Sequence, residues 1–229
     1  MRGTSPLKLI SDPQTRNQIA CQYEKARERS PSMLSRFFTR TQRSILCGEP
    51  EFIRNQMIDV SVNKMLPMEA ETGALVYMLA RTRFAKYAVD FGSPFNVSAL
   101  WLAAAVKDNG GGRVITSMDA PLKTYEANQI ARSAGLGSIL KTVEGSPLNN
   151  LKESESGINF VLCDCATKLT EEWIRTVIPK LAPGAVLFTN KVQKFNSNVN
   201  SYFRLLGENN FCSHTIPSKY GAHISIWQG

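Results

Sequence analysis

The sequence predicts an α/β protein with a doubly wound, mostly parallel sheet, preceded by a helical extension. Three observations carry that prediction. From Ala85 onward, short apolar runs alternate with helix-length segments about five times, the order that builds βαβ units. The run Ser98–Val106 (SALWLAAAV) is apolar on nearly every side, as a helix buried against a sheet must be. The first apolar run ends in an acid followed by a glycine turn, Asp90-Phe91-Gly92, directly before that helix.

The elements follow in order. The first ~12 residues read as a disordered tip. Residues 14–30 and 32–46 are polar, basic and helix-compatible, with Ser30-Pro31-Ser32 as the break between them, and residues 50–65 suit a third helix. From Glu69 to Thr82, Leu75, Met78 and Leu79 recur at helical spacing. Ala85–Phe91 reads as a buried strand and Ser98–Val106 as the buried helix. The DNGGG turn at 108–112 leads to a strand at Arg113–Ser117. A helix at Leu122–Ala134 is stopped by Gly135. Strands follow at Ile139–Val143 and Ile158–Cys163. Thr170–Leu181 is a helix with Pro183-Gly184 as its terminator, then a strand at Ala185–Thr189 and a helix at Asn198–Leu206. Phe211–Ile216 and His223–Trp227 form a final antiparallel pair.

At 229 residues the chain fits one such domain, residues 66–229, with residues 1–65 as its extension or cap. A chain of this length buries about 70% of its unfolded surface and needs no staples. Apolar residues make up 43% and charged residues 20%, ordinary values for a soluble protein. No apolar run approaches the roughly 20 residues that span a bilayer. Leu7–Ile10 is too short for the core of a secretion signal, so a cytoplasmic location is expected. Of the five cysteines only Cys163 and Cys165 are close, as C-x-C inside an apolar run, which reads as buried reduced thiols rather than a zinc site. The net charge of +8 is concentrated in residues 1–45, which hold nine Lys/Arg against three acids. Aromatics do not alternate with these bases, so a solvated helical face is expected there and a nucleic-acid partner is not.

In a doubly wound sheet, ligands bind beyond the carboxyl ends of the strands. The segment Val89–Ser98 has the form of a nucleotide loop: an acid, a glycine that lets backbone approach a ligand, and a helix N-terminus with free N–H groups. The stretches Glu71-Thr72-Gly73, DFGSPFNVSALWLAAAV, GGGRVITSMDAPL, ARSAGL, VEGSPL, INFVLCD and LAPGAVLFTN, in this order and spacing, resemble the caffeoyl-CoA and catechol type of S-adenosyl-L-methionine (SAM)-dependent O-methyltransferase. The resemblance runs from about Glu71 to Asn190 and implies a Rossmann-like class I methyltransferase fold. It also implies a SAM site formed by Asp90, Gly92, Ser93, Asn96, Ser98, Met118, Asp119, Ser146 and Asp164.

Several of those positions depart from the family pattern. Asn96 stands where a glycine is usual; an Asn can reach positive φ, but its side chain intrudes toward the methionine part of SAM. Met118 stands where an acid grips the ribose, with Asp119 one residue late, and Ser146 replaces the Asp that meets adenine. Each lost charge-assisted bond costs roughly 1.5–3 kcal/mol, and two together weaken binding by a factor on the order of 10² to 10⁴. Metal-dependent relatives hold Mg²⁺ with an Asp after the fourth strand and an Asp-Asn pair after the fifth. Asp164 matches the first, but the pair reads Asn190-Lys191 here. A hard divalent cation needs several oxygens and is repelled by a fixed positive charge, so no metal is expected. Lys191 then stands where the ion would, as a point charge or a base, or else is a surface lysine paired with Asp164.

The expected activity is a metal-independent O-methyl transfer to a small molecule, with Lys191, Asp164, Asn190 and His223 as the catalytic set. A SAM-independent cyclisation or isomerisation on the same fold is the alternative, and a non-catalytic binding protein the third. The expected partner is a small-molecule substrate, with no membrane; a homodimer through the N-terminal helices follows from family analogy only. Phe37, Phe38 and Met65 are candidate pocket-lining residues by their place before the sheet.

Overall fold

A computed structural model describes residues 5–29, 67–91, 96–164, 171–192, 199–217 and 221–229. The helices expected at 32–46 and 50–65, and Phe37, Phe38, Met65 and Cys165, lie outside the described residues.

Seven strands form one sheet in the order β3-β2-β1-β4-β5-β7-β6. They are β1 (Tyr87–Phe91), β2 (Arg113–Met118), β3 (Leu140–Glu144), β4 (Ile158–Cys163), β5 (Leu181–Asn190), β6 (Phe211–Ile216) and β7 (Ala222–Trp227). Strands β1 to β5 run parallel and β7 is antiparallel to both β5 and β6. The order reverses between β1 and β4, which places the switch-point crevice beyond Phe91 and Cys163. There the Asp164 N–H donates to the Phe91 carbonyl at 3.2 Å.

Two cores lie on the two faces. The first joins Ala88, Val114, Phe160, Leu162, Val186 and Phe188 to helices α1 (Pro13–Arg29), α2 (Ala70–Thr82), α3 (Val97–Asp108) and α4 (Pro121–Ser133). The second joins Val89, Phe91, Val161, Cys163 and Leu187 to α5 (Pro147–Glu153), α6 (Glu171–Val177) and α7 (Val199–Glu208). Residues Val97 to Val106 of α3 are all buried, as an all-round apolar helix must be. Helix α1 packs on α3 and α4, with Ile19 fully buried. Its Tyr23 hydroxyl donates to the Met68 carbonyl at 2.8 Å and accepts from Trp101 Nε1 at 3.0 Å, so α1, α3 and the entry to α2 share one joint.

Four expectations need correction. The N-terminal tip is ordered from Ser5: Pro6–Leu9 is a 3-10 turn, Ile10 is buried, and the Ser11 hydroxyl donates to the Asp108 carboxylate at 2.5 Å. Two apolar side chains in a polar segment suffice to dock it on α2 and α3. In α2 the buried face is Thr72, Gly73, Ala74, Val76, Tyr77 and Ala80, whereas Met78 is 46% exposed; Gly73 and Tyr77 both meet the Trp101 ring of α3. Pro183-Gly184 does not end a helix. Pro179, inside a 3-10 turn at Ile178–Lys180, does so, and β5 begins at Leu181 and runs through Pro183 and Gly184, where its register with β4 shifts. The Arg83 guanidinium donates to the Pro183 and Gly184 carbonyls there. Helix α5 was not expected; Pro147 at its first turn is the start signal in the sequence. Cys163 is buried, as its apolar run implies.

Candidate active site

Strand alternation puts Asp90, Asp164 and Asn190 on the α3 face of the sheet at its carboxyl edge, since their neighbours Phe91 and Cys163 lie in the opposite core and Thr189 meets Tyr202 there. The DNGGG turn lies at the opposite edge, leading into β2. There its Asp108 is taken up by Ser11 and Tyr77, so it belongs to no ligand site.

Asp164 follows β4 and is 5% exposed. Its Oδ1 accepts from Asn190 Nδ2 at 2.7 Å and from Lys191 Nζ at 2.9 Å, while Oδ2 is buried without a partner. Lys191 reaches it because its backbone turns left-handed at the end of β5 (φ 62), with its N–H held by Asn190 Oδ1 at 2.9 Å. The ion pair anticipated as a surface contact is therefore real but buried, with 7% and 0% of the two side chains exposed. Burial drives the Asp164 carboxyl above its ordinary range, and the Lys191 charge opposes this.

Asp90, near the end of β1, is wholly buried. Its Oδ2 accepts from the Thr116 hydroxyl at 3.0 Å and its Oδ1 has no partner. Burial raises it to about 7, against the pull of the Thr116 and Ser98 hydroxyls. Asn96 is the N-cap of α3 in left-handed backbone (φ 57), and both atoms of its buried amide lack hydrogen-bond partners. Ser98 is buried in the first turn. Gly92 and Ser93 lie outside the described residues.

The remaining positions sit on the rim. Met118 is the last residue of β2, on the Thr116 face, and its carbonyl accepts from Gly145 N–H at 2.8 Å. Asp119 is exposed in the bend beyond it. Ser146 is exposed as the N-cap of α5. His223 pairs with Thr189 across β5 and β7 and faces the opposite core. There its ring meets Tyr202 and Phe203, and Nδ1 lies 2.8 Å from the Thr215 hydroxyl. Burial lowers His223 to about 4. The structure thus joins Asp164, Asn190 and Lys191 and sets His223 on the other side of the sheet.

Two neighbours of the site were missed. Thr116 holds Asp90 because the two residues are in register across the parallel β1–β2 pair, which no local pattern shows. Tyr23 is brought by α1 close enough for the Asp164 charge to help burial raise its hydroxyl pKa. Among the described residues no cluster of three or more His, Cys, Asp or Glu could hold a metal ion, and no helix is long and apolar enough to cross a membrane.

A family model described as a methyltransferase domain matches residues 89–191, from the end of β1 to the lysine of the ion pair. No curated protein matches the chain. Similar solved structures include the SAH-bound methyltransferase PaMTH1 of Podospora anserina, with TM-score 0.68, 15% identity, and coverage of 93% of this chain and 88% of that one. The O-methyltransferase TomG of Streptomyces achromogenes, involved in tomaymycin synthesis and solved with SAM, has TM-score 0.64 and 19% identity, covering 82% and 95%. A methyltransferase of Geobacter sulfurreducens has TM-score 0.63 and 18% identity, also covering 82% and 95%. The strand order, the acid on β1 and the matched domain agree, and the chain has the class I methyltransferase fold, with residues 89–191 similar to a methyltransferase domain.

Proposed function

We propose that this chain is a metal-independent, SAM-dependent O-methyltransferase acting on a small phenol, enol or carboxylic acid, in secondary metabolism. The observation that carries the reading is the buried Asp164–Lys191 pair at the switch-point edge. An ammonium and an amide on Asp164 form a donor set for an oxygen anion, not an oxygen cage for a hard cation.

The residues present fit the amino-acid end of SAM. Asp90 Oδ1 is an unused acceptor for a cationic group, and the α3 N-terminus with Asn96 and Ser98 offers donors for a carboxylate. Met118 and Asp119 would border the ribose and Ser146 the adenine. SAM, when bound, supplies an electrophilic methyl group on a sulfonium. Asp164 Oδ2, unpartnered and on a carboxyl of raised pKa, accepts the proton of the substrate hydroxyl. Lys191 offsets the negative charge that develops on the substrate oxygen, and Asn190 keeps Lys191 and Asp164 in place.

A second reading, SAM-independent chemistry on the same fold, is favoured by Met118 at the strand end and the exposure of Asp119. Calorimetric titration with SAM and S-adenosylhomocysteine, with EDTA present, separates the two. Micromolar binding is expected. At pH 7 it should release protons, seen as heat that depends on the buffer, because a cation beside Asp90 draws off its proton. Absence of binding at millimolar ligand would sink methyl transfer and leave the second reading.

A further inference from the structure

Helix α2 ends on a residue that suits the turn poorly. The Ala85 N–H donates to the Ala80 carbonyl and the Phe84 N–H to the Arg81 carbonyl, which closes the helix with Phe84 in left-handed backbone (φ 52). Glycine is the usual residue there, because a side chain crowds the backbone. The Phe84 ring gains no burial in return. It is 72% exposed, the most of any large apolar side chain among the described residues. The chain thus bears a strained backbone to present an aromatic ring that its own core does not cover. Leu9, on the turn that packs against α2, and Met78 of α2 are exposed as well. Charge surrounds the ring. Arg83 spends its donors on the Pro183 and Gly184 carbonyls, and Lys86 donates to the Asn109 carbonyl. Carbonyls hold the two cations in place without neutralising them, and neither has a carboxylate partner among the described residues. Lys8 is exposed on the docked turn, and Asp108 is the acid beside Arg81.

We propose that this amino edge of the sheet docks on an anionic lipid surface, with the Phe84 ring entering the headgroup boundary and Lys8, Arg83 and Lys86 facing lipid phosphates. Exposed apolar side chains flanked by cations are what such a surface takes up. The net charge of +8 draws the chain toward a negative membrane. A nucleic acid fits less well: a single aromatic ring gives no row of stacking platforms, and Leu9 and Met78 do not stack on bases. The sequence expectation of no membrane partner rests on the length of apolar runs, which speaks only to spanning. Among the described residues no helix could cross a membrane, so the contact is one of surface alone. Phe84 precedes β1, at the opposite edge from Asp164 and Lys191. Docking there leaves the candidate site open and is independent of the methyl-transfer reading.

Co-sedimentation of the full chain with vesicles tests this, comparing phosphatidylcholine alone with phosphatidylcholine mixed with phosphatidylserine. Binding is expected to the mixed vesicles only, and it should weaken as salt rises. Phe84→Gly should lower that binding by on the order of tenfold. Its thermal midpoint should be no lower than that of the wild type, since glycine accepts the left-handed backbone. Should that variant not fold, Phe84→Asn, which also accepts it, takes its place. No binding to mixed vesicles at low salt overturns the proposal, and so does equal binding to both kinds of vesicle. Full binding by the folded variant overturns it too and moves the contact elsewhere, such as to the basic N-terminal segment. Retention on single-stranded RNA without retention on vesicles overturns it in favour of a nucleic acid.

Discussion

At the scale of single residues, the site is governed by two buried carboxyls with opposite support. Asp90 has one hydroxyl donor in hydrogen-bonding geometry and no cation, and burial raises it to about 7 from an ordinary 3.8. A raised acid holds its proton more tightly in the folded state. Its contribution to stability is therefore complete below pH 3.8 and is lost as pH rises through about 7. Urea unfolding should show stability falling between pH 5 and pH 8 by on the order of 3 kcal/mol. Asp90→Asn should flatten that dependence. Asp164 is held by the Lys191 ammonium instead. Lys191→Met should cost about 3–5 kcal/mol, because it strands a buried carboxylate. Adding Asp164→Asn should recover most of the loss, a coupling that a double-mutant cycle in denaturant reads directly. Independent, additive costs would show that the pair contributes nothing to holding the β4–β5 edge.

At the scale of elements, the approach of α2 to α3 positions the site. A side chain added at Gly73 would run into the Trp101 ring, whose Nε1 also meets Tyr23 of α1. Gly73→Ala should lower stability by about 1–3 kcal/mol through overpacking, measured as a lower thermal midpoint. The motif Glu71-Thr72-Gly73 thus has a packing reason: a small residue lets α2 lie against a helix with no polar face. Lys191 and Asn96 show how element ends do the positioning. Both are non-glycine residues in left-handed backbone, one after β5 and one before α3. The turn after β5 returns the lysine to Asp164, and the turn before α3 buries an amide at the helix N-terminus.

At the scale of the molecule, the N-terminal segment is part of the fold. Ile10→Ala should destabilise the chain by about 2–5 kcal/mol, as for a buried core residue, and leave the secondary-structure content by circular dichroism unchanged. A truly disordered tip would give no change. Apart from α5, the sequence by itself determined the strand and helix order from Tyr87 to Trp227, because apolar runs and the all-round apolar α3 are local signals of burial. The nearness of Asp164 and Lys191 followed from the family resemblance, which sets them after the fourth and fifth strands, and the pairing of β4 with β5 bears it out. Only the tertiary structure decided that their ion pair is buried, that Thr116 supports Asp90, that His223 faces the other core and that Asn128 caps the β3 edge of the sheet. Those outcomes depend on register between strands and on which helix covers which face, and such long-range pairings leave no periodic trace along the chain.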